Sequence, residues 1–219
     1  MSDSSSFPYA AELGRKALHV LAILIPLGMW WVGMPTALYI LTISALIAVG
    51  ADVWRARSEA MNRLIRKIFG PLMRNDELPS PGTEVRFNGA TCVLVGAALM
   101  AVLFPLRLAV PVLAMAMLAD AAAALVGRRL GRHPWGSLSA TVEGSSAFVV
   151  TGLAIMAWFP RIAVGPAVAG VVAGAVVEAA PVPINDNIRV PIAAAFVVAA
   201  SETLLLGKPF PLFAGLLPG

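Results

Sequence analysis

Charge is scarce in this sequence. Of its 219 residues only 13% are Asp, Glu, Lys or Arg, while 59% are hydrophobic; soluble domains carry about 25% charged residues. With a mean hydropathy of +0.84, the chain cannot cover its own surface in water, and lipid is expected as its solvent. Cysteine is almost missing. The single Cys92 lies in an apolar stretch, which excludes an intramolecular disulfide and a cysteine-rich zinc site and suits inert packing. No lysine-rich tract or base-stacking motif accompanies the net charge of +4, so nucleic acid is not the expected partner. The basic residues flank apolar stretches instead, which suits anionic headgroups. A cleavable leader is not expected either. The first apolar stretch follows Arg15 and Lys16, no small-residue cleavage signal ends it, and further stretches follow.

What is there in quantity is apolar runs. A hydrocarbon core of about 30 Å needs roughly 17–25 apolar residues per helix. Seven stretches meet this: Lys16–Val32, Pro35–Val53, Phe87–Phe104, Leu108–Val126, Thr141–Phe159, Ile162–Ala180 and Ile188–Leu206. Short breaks with Gly or Pro alternate with longer polar ones, which pairs the stretches as helical hairpins. The expected fold is all-α and polytopic, with a tail at 1–11, one transmembrane domain over 12–206 and a short tail at 207–219. In this threading thirteen of the sixteen Lys and Arg fall on one side and only Arg107, Arg161 and Lys208 on the other. That bias puts the amino terminus and longer loops in the cytoplasm and the carboxyl terminus outside.

Between the second and third stretches, Glu59–Arg74 is too charged to span. Met61, Leu64, Ile65, Ile68 and Leu72 recur at helical spacing, opposite Arg63, Arg66, Lys67 and Arg74. This predicts a helix lying in the cytoplasmic interface, either as a plain anchor or in contact with substrate. Asn75–Gly82 reads as an irregular loop or flap, and Ser2–Ser6 as a disordered tail. Alanine runs such as Ala121–Ala124 suit close helix packing in lipid.

Four polar clusters interrupt the apolar background, all at the cytoplasmic ends of the stretches. In the first, Glu12, Lys16 and His19 share one helix face beside Arg15. Arg15 and Lys16 suffice as topology determinants, and His19 is either a packed polar residue or part of a site. The second runs from Asp120 through Ala124, Gly127, Arg128, Arg129 and Gly131 to Arg132. An ionised carboxylate two turns inside a span needs a partner or a cation. Beside it Gly127 and Gly131 would loosen the helix end, and the arginines could grip phosphates; a packing salt bridge is the plainer alternative. The third is Ser137–Ser146, where Ser139 or Thr141 can cap a helix whose early NH groups favour an anion. Glu143 in that first turn suits the helix dipole with no further role. The fourth, Glu178–Pro191, puts carboxylates at both ends of a proline-rigidified turn around Asn185 and Asn187. It is either a loop capped by Asp186 or an oxygen-ligand set for Mg²⁺. Asp52 reaches the same face but, near Arg55, is expected only to end its helix. Glu202 lies near the opposite face and is assigned no role.

The ordered pieces Glu12…Arg15-Lys16…His19, Asn88-Gly89-Ala90-Thr91…Gly96, Asp120…Ala124…Gly127-Arg128…Gly131, Glu143-Gly144-Ser145 and Glu178…Asp186-Asn187…Pro191 resemble the CTP-dependent lipid kinase family of dolichol kinases, phytol kinases and CTP-dependent diacylglycerol kinases. The resemblance implies transfer of the γ-phosphoryl group of CTP to the hydroxyl of a membrane lipid, with Mg²⁺. Asp120, Glu143 and Asp186 would then be catalytic, with Asp120, Glu178 and Asp186 as metal ligands. Arg15, Lys16, His19, Gly127, Arg128, Gly131, Arg132, Thr141, Gly144, Ser145 and Asn187 would hold nucleotide and phosphates. Roles among the four acids stay open.

The central pieces also resemble phosphatidate cytidylyltransferases, but Pro183–Pro191 stands where those enzymes carry a long Gly- and Asp-rich signature. Both families usually have a lysine where this chain has Ala140. Arg128, Arg129 or Arg132 replaces its charge, or the chain is an inactive homologue, or the alanine is an introduced inactivating change. A transporter would need polar residues deep in several spans, whereas here they crowd one face; a non-catalytic scaffold is the remaining rival.

Overall fold

The computed structural model describes residues 21–69, 85–136 and 140–216. These form eight α-helices: α1 (Leu24–Val32), α2 (Thr36–Arg57), α3 (Glu59–Phe69), α4 (Gly89–Leu103), α5 (Leu106–Leu130), α6 (Val142–Ala157), α7 (Val164–Ala179) and α8 (Asp186–Leu206), followed by a 3₁₀ turn at Ala214–Leu216. No β-strand occurs among the described residues; Pro134 and Thr141 form one isolated bridge. Six of the seven expected apolar stretches hold one helix each over most of their length, and the first is helical over Leu24–Val32, its residues 16–20 lying outside the described ones. By length and composition α2, α5 and α8 can cross a membrane, while α4, α6 and α7 are shorter apolar helices. The amphipathic α3 follows from Ser58, whose extended backbone ends α2 and whose hydroxyl accepts the Met61 amide. Glu59 and Arg63 pair on its exposed face.

Helix directions follow from contacts between named residues. A Cβ built on Gly127 would touch the α-carbon of Gly144, and one on Gly152 would meet Met115 and Val171, so α5, α6 and α7 run antiparallel in turn. Gly170 faces Val198 and Gly174 faces Ala194, which sets α8 antiparallel to α7. Gly96 lies on Asn187, and the Phe104 and Phe196 rings meet edge-on at 5.2 Å, so α4 and α8 run parallel. Small residues allow these close approaches where no water is present to drive association.

The bundle centres on α5. Leu108, Ala109, Val112, Leu113, Met115 and Ala119 are at most 1% exposed. The outer surface is apolar as well: Trp31, Val164 and Leu204 are each at least 80% exposed. A folded chain with an apolar core and an apolar exterior is a membrane protein. The interfacial segment expected over Glu59–Arg74 is helical as far as Phe69; the remainder, the flap at 75–82 and the tail at 2–6 lie outside the described residues.

Candidate active site

These directions bring the carboxyl ends of α2, α5 and α7 and the amino ends of α4, α6 and α8 to one end of the bundle. The clusters read from the sequence therefore meet there, apart from Glu12, Arg15, Lys16 and His19, which lie outside the described residues. At the centre of that end is a small cleft between α5 and α8. Asp120, Asp186 and Asn187 line it, over an apolar floor of Leu113, Ala116, Met117, Val190 and Pro191.

The α8 side of the cleft is built around a broken helical bond. Asn185 caps α8 by accepting the Asn187 amide at 3.0 Å, so Asn185 and not Asp186 is the cap. Asp186 pairs instead with Arg189, whose guanidinium also donates to the carbonyls of Ala180 at 2.7 Å and Glu178 at 3.3 Å. That clamp ties the last turn of α7 to the first turn of α8. Glu178 enters it through its backbone, and it does not line the cleft. Pro191 sits inside α8 and has no amide to give to the carbonyl four residues back, at Asn187. That oxygen turns to Gly96 of α4, where any Cβ would lie 2.2 Å away.

Beside the cleft, α5 and α6 close on one another through glycine. Gly144 is buried; a Cβ there would lie 3.1 Å from the Ala123 carbonyl, one turn from Asp120. Gly127 does not loosen α5, which stays helical to Leu130 with Gly131 as its cap. Gly131 itself has no room for a side chain, with Thr141 Cγ2 at 2.8 Å from a Cβ there. These three glycines thus form a helix seam. Thr141 is the cap of α6, accepting the Gly144 amide at 3.1 Å. The early amides of α6 are largely occupied: Val142 donates to His133 and Ser145 to Thr141.

The turn between α5 and α6 folds back on the start of α6. His133 Nδ1 lies 2.6 Å from Glu143 Oε1, and the His133 amide reaches the other carboxylate oxygen at 3.3 Å. Trp135 donates its indole NH to the Ser145 hydroxyl at 3.1 Å and its amide to the Ala140 carbonyl. His133 and Trp135 are partners that the motif reading missed. Arg128, Arg129 and Arg132 are exposed around this turn.

Asp52 was read from the sequence only as the end of its helix. It does not simply end α2, which continues to Arg57, and it is 1% exposed. Its carboxylate accepts the Asn88 amide at 3.0 Å, the Asn88 side-chain amide at 2.9 Å and the Thr91 hydroxyl at 2.7 Å. Arg55, also buried, lies 3.2 Å from it and donates to the Arg86 carbonyl. Asn88 in turn caps α4 through the Thr91 amide.

Two carboxylates and an amide facing one cleft fit Mg²⁺, which binds through one or two carboxylates and completes its shell with water and substrate phosphates. No group of three His, Cys, Asp or Glu that could hold a metal unaided occurs among the described residues.

No family profile matches the chain, and no solved structure matches it. Among curated proteins it is 28% identical over 145 residues, 65% of the chain, to CTP-dependent diacylglycerol kinase 1 of Schizosaccharomyces pombe. It is also 28% identical over 144 residues, 66% of the chain, to an uncharacterized protein of Rickettsia prowazekii. The matches cover 64% of the first protein and 68% of the second, so the chain spans just under two thirds of the diacylglycerol kinase. By sequence, this membrane protein is distantly similar to a CTP-dependent lipid kinase.

Proposed function

We propose that the chain is a CTP-dependent lipid kinase that transfers the γ-phosphoryl group of CTP to a membrane lipid alcohol, of the polyprenol, dolichol or phytol type or diacylglycerol. The observation that carries this reading is the cleft in which Asp120 of α5 meets Asp186 and Asn187 of α8. Phosphoryl transfer asks the protein mainly for positioning and charge stabilisation. Asp120 and Asp186 would hold Mg²⁺, which when bound offsets the charge of the β- and γ-phosphates. Arg128 and Lys16 would offset what remains. The lipid hydroxyl attacks the γ-phosphorus, the bond to the bridging oxygen breaks, and CDP leaves. The hydroxyl proton passes to water or to a cleft carboxylate rather than to Glu143, whose bond to His133 holds its carboxyl well below the usual carboxylate range and which does not line the cleft.

The reading includes seven membrane crossings, α3 lying in the interface, and the site and amino terminus in the cytoplasm. The lipid reaches the cleft sideways with its tail in the bilayer.

Labelled CTP tests it against isoprenoid alcohols, diacylglycerol and phosphatidate, with Ala140→Lys in parallel. Label from the γ position should appear in the lipid. Label from the α position would mean cytidylyl transfer instead, and label from neither in both proteins would leave a non-catalytic membrane protein.

A further inference from the structure

We infer that Asp52 is a positioning residue for the Asp120–Asp186 cleft, acting through α4. This rests on the kinase reading only for its activity arm.

The Asp52 carboxylate receives three donors from the first turn of α4, two from Asn88 and one from Thr91. Its fourth contact, Arg55, holds the Arg86 carbonyl just before that helix. Asp52 and Arg55 are 1% and 2% exposed, and bonds of an ionised group in such a place are strong and directional. Together they fix α4 both along its axis and in rotation.

What α4 carries makes that register matter to the site. Gly96, about 12 Å further along the helix, is the point where α4 touches α8. A Cβ there would lie 2.2 Å from the Asn187 oxygen, 3.2 Å from its carbonyl carbon and 3.4 Å from the Ile188 α-carbon. An approach too close for even a methyl group leaves Gly96 little slack, because a slide or turn of α4 brings a neighbour's side chain towards that oxygen. The carbonyl it faces is the one that Pro191 leaves without a helical donor, in the turn that presents Asp186 and Asn187. Asp52 therefore sets the position of two cleft residues that it does not touch. The Gly170–Val198 and Gly174–Ala194 contacts with α7 hold the rest of α8, so the effect should stay in its first turn.

The test is Asp52→Asn in the full chain in detergent micelles, read by amide hydrogen exchange and by turnover of CTP with a lipid alcohol. Exchange at 186–190 should quicken about tenfold while 199–205 stays unchanged. In the same sample kcat should fall about tenfold with KM for CTP nearly constant. Should Asp52→Asn fail to fold, Thr91→Val, which removes one donor and leaves the carboxylate paired, must quicken exchange at 186–190 in the same direction. Unchanged exchange there in the folded variant overturns the inference, as does a uniform rise across α8. The exchange arm needs no turnover, so a parent protein without kinase activity would remove the kinase reading and still decide this one.

Discussion

Arg107 from the first turn of α5 reaches Glu202 near the end of α8 at 2.7 Å, at the end of the bundle away from the cleft. Lys208 approaches the same carboxylate at 2.6 Å. Glu202 is 1% exposed, so this is a clasp between the central helix and the last one. Glu202→Gln keeps the shape and removes the charge. The variant should lose about 2 kcal/mol, the scale of hydrogen bonds to charged groups, with each cation partly open to solvent. Detergent thermal unfolding measures it. Turnover per folded molecule should not change, and a loss of turnover at normal stability would place Glu202 in the chemistry.

Asp120→Asn addresses the opposite end. The amide is isosteric but cannot offset a divalent cation. Turnover should drop by about 10²–10³-fold, as when a charge-stabilising group is removed from a transition state, with the protein still monodisperse. A variant that fails to assemble would instead support a packing role for Asp120, and full activity would remove it from the mechanism.

Glycine-to-alanine changes should have opposite signs at two positions. Gly50 in the middle of α2 has open space where a Cβ would stand, so Gly50→Ala should stabilise by about 1 kcal/mol through helix propensity alone. Gly96→Ala drives a methyl group into a backbone oxygen and should destabilise by about 1–3 kcal/mol. Equal effects in thermal unfolding would contradict the helix contact at Gly96.

Topology is checked by single cysteines in a Cys92→Ala background. Cysteines at Ser58 and Ser137 should react from the cytoplasmic side, and cysteines at Arg161 and Gly219 only from the other. Labelling of Ser58 and Ser137 from opposite sides would contradict a site on one membrane face.

The helices were legible because apolar length is a local property, and so was the gathering of the three clusters within the described residues at one end, since alternating breaks dictate which helix ends share a side. Thr141 as a cap was legible too, because its hydroxyl serves an amide three residues on. Asp52 was not. Its nearest cation, Arg55, is a local pair, while the partners that define its role are 36 and 39 residues away in sequence. Asp186 was read as the cap, but the Arg189 guanidinium draws it aside and Asn185 takes its place, a choice that depends on where the last carbonyls of α7 lie. Gly127 was expected to loosen its helix end, but it packs against Gly144 of α6, and only the packed helix pair reveals that. His133 and Trp135 carried no periodicity and sat in a polar turn, so nothing in their spacing announced their bonds to Glu143 and Ser145.

The unequal helix lengths bear on the lipid itself. With 16 residues each, α6 and α7 rise about 24 Å, several ångströms less than a typical hydrocarbon core of about 30 Å. The 25 residues of α5 overreach it at about 37 Å, but α5 is sheltered and lipid does not read its length. In the proposed seven-crossing arrangement, a bilayer beside the exposed valines of α6 and α7 would therefore thin to meet them or leave apolar tails against helix ends. Thinning lowers the headgroup plane, and a lipid hydroxyl with it, towards the middle of the protein. Acyl-chain length in reconstituted vesicles thus becomes a control variable for this protein, separate from the chemistry of the lipid that the proposed kinase would modify.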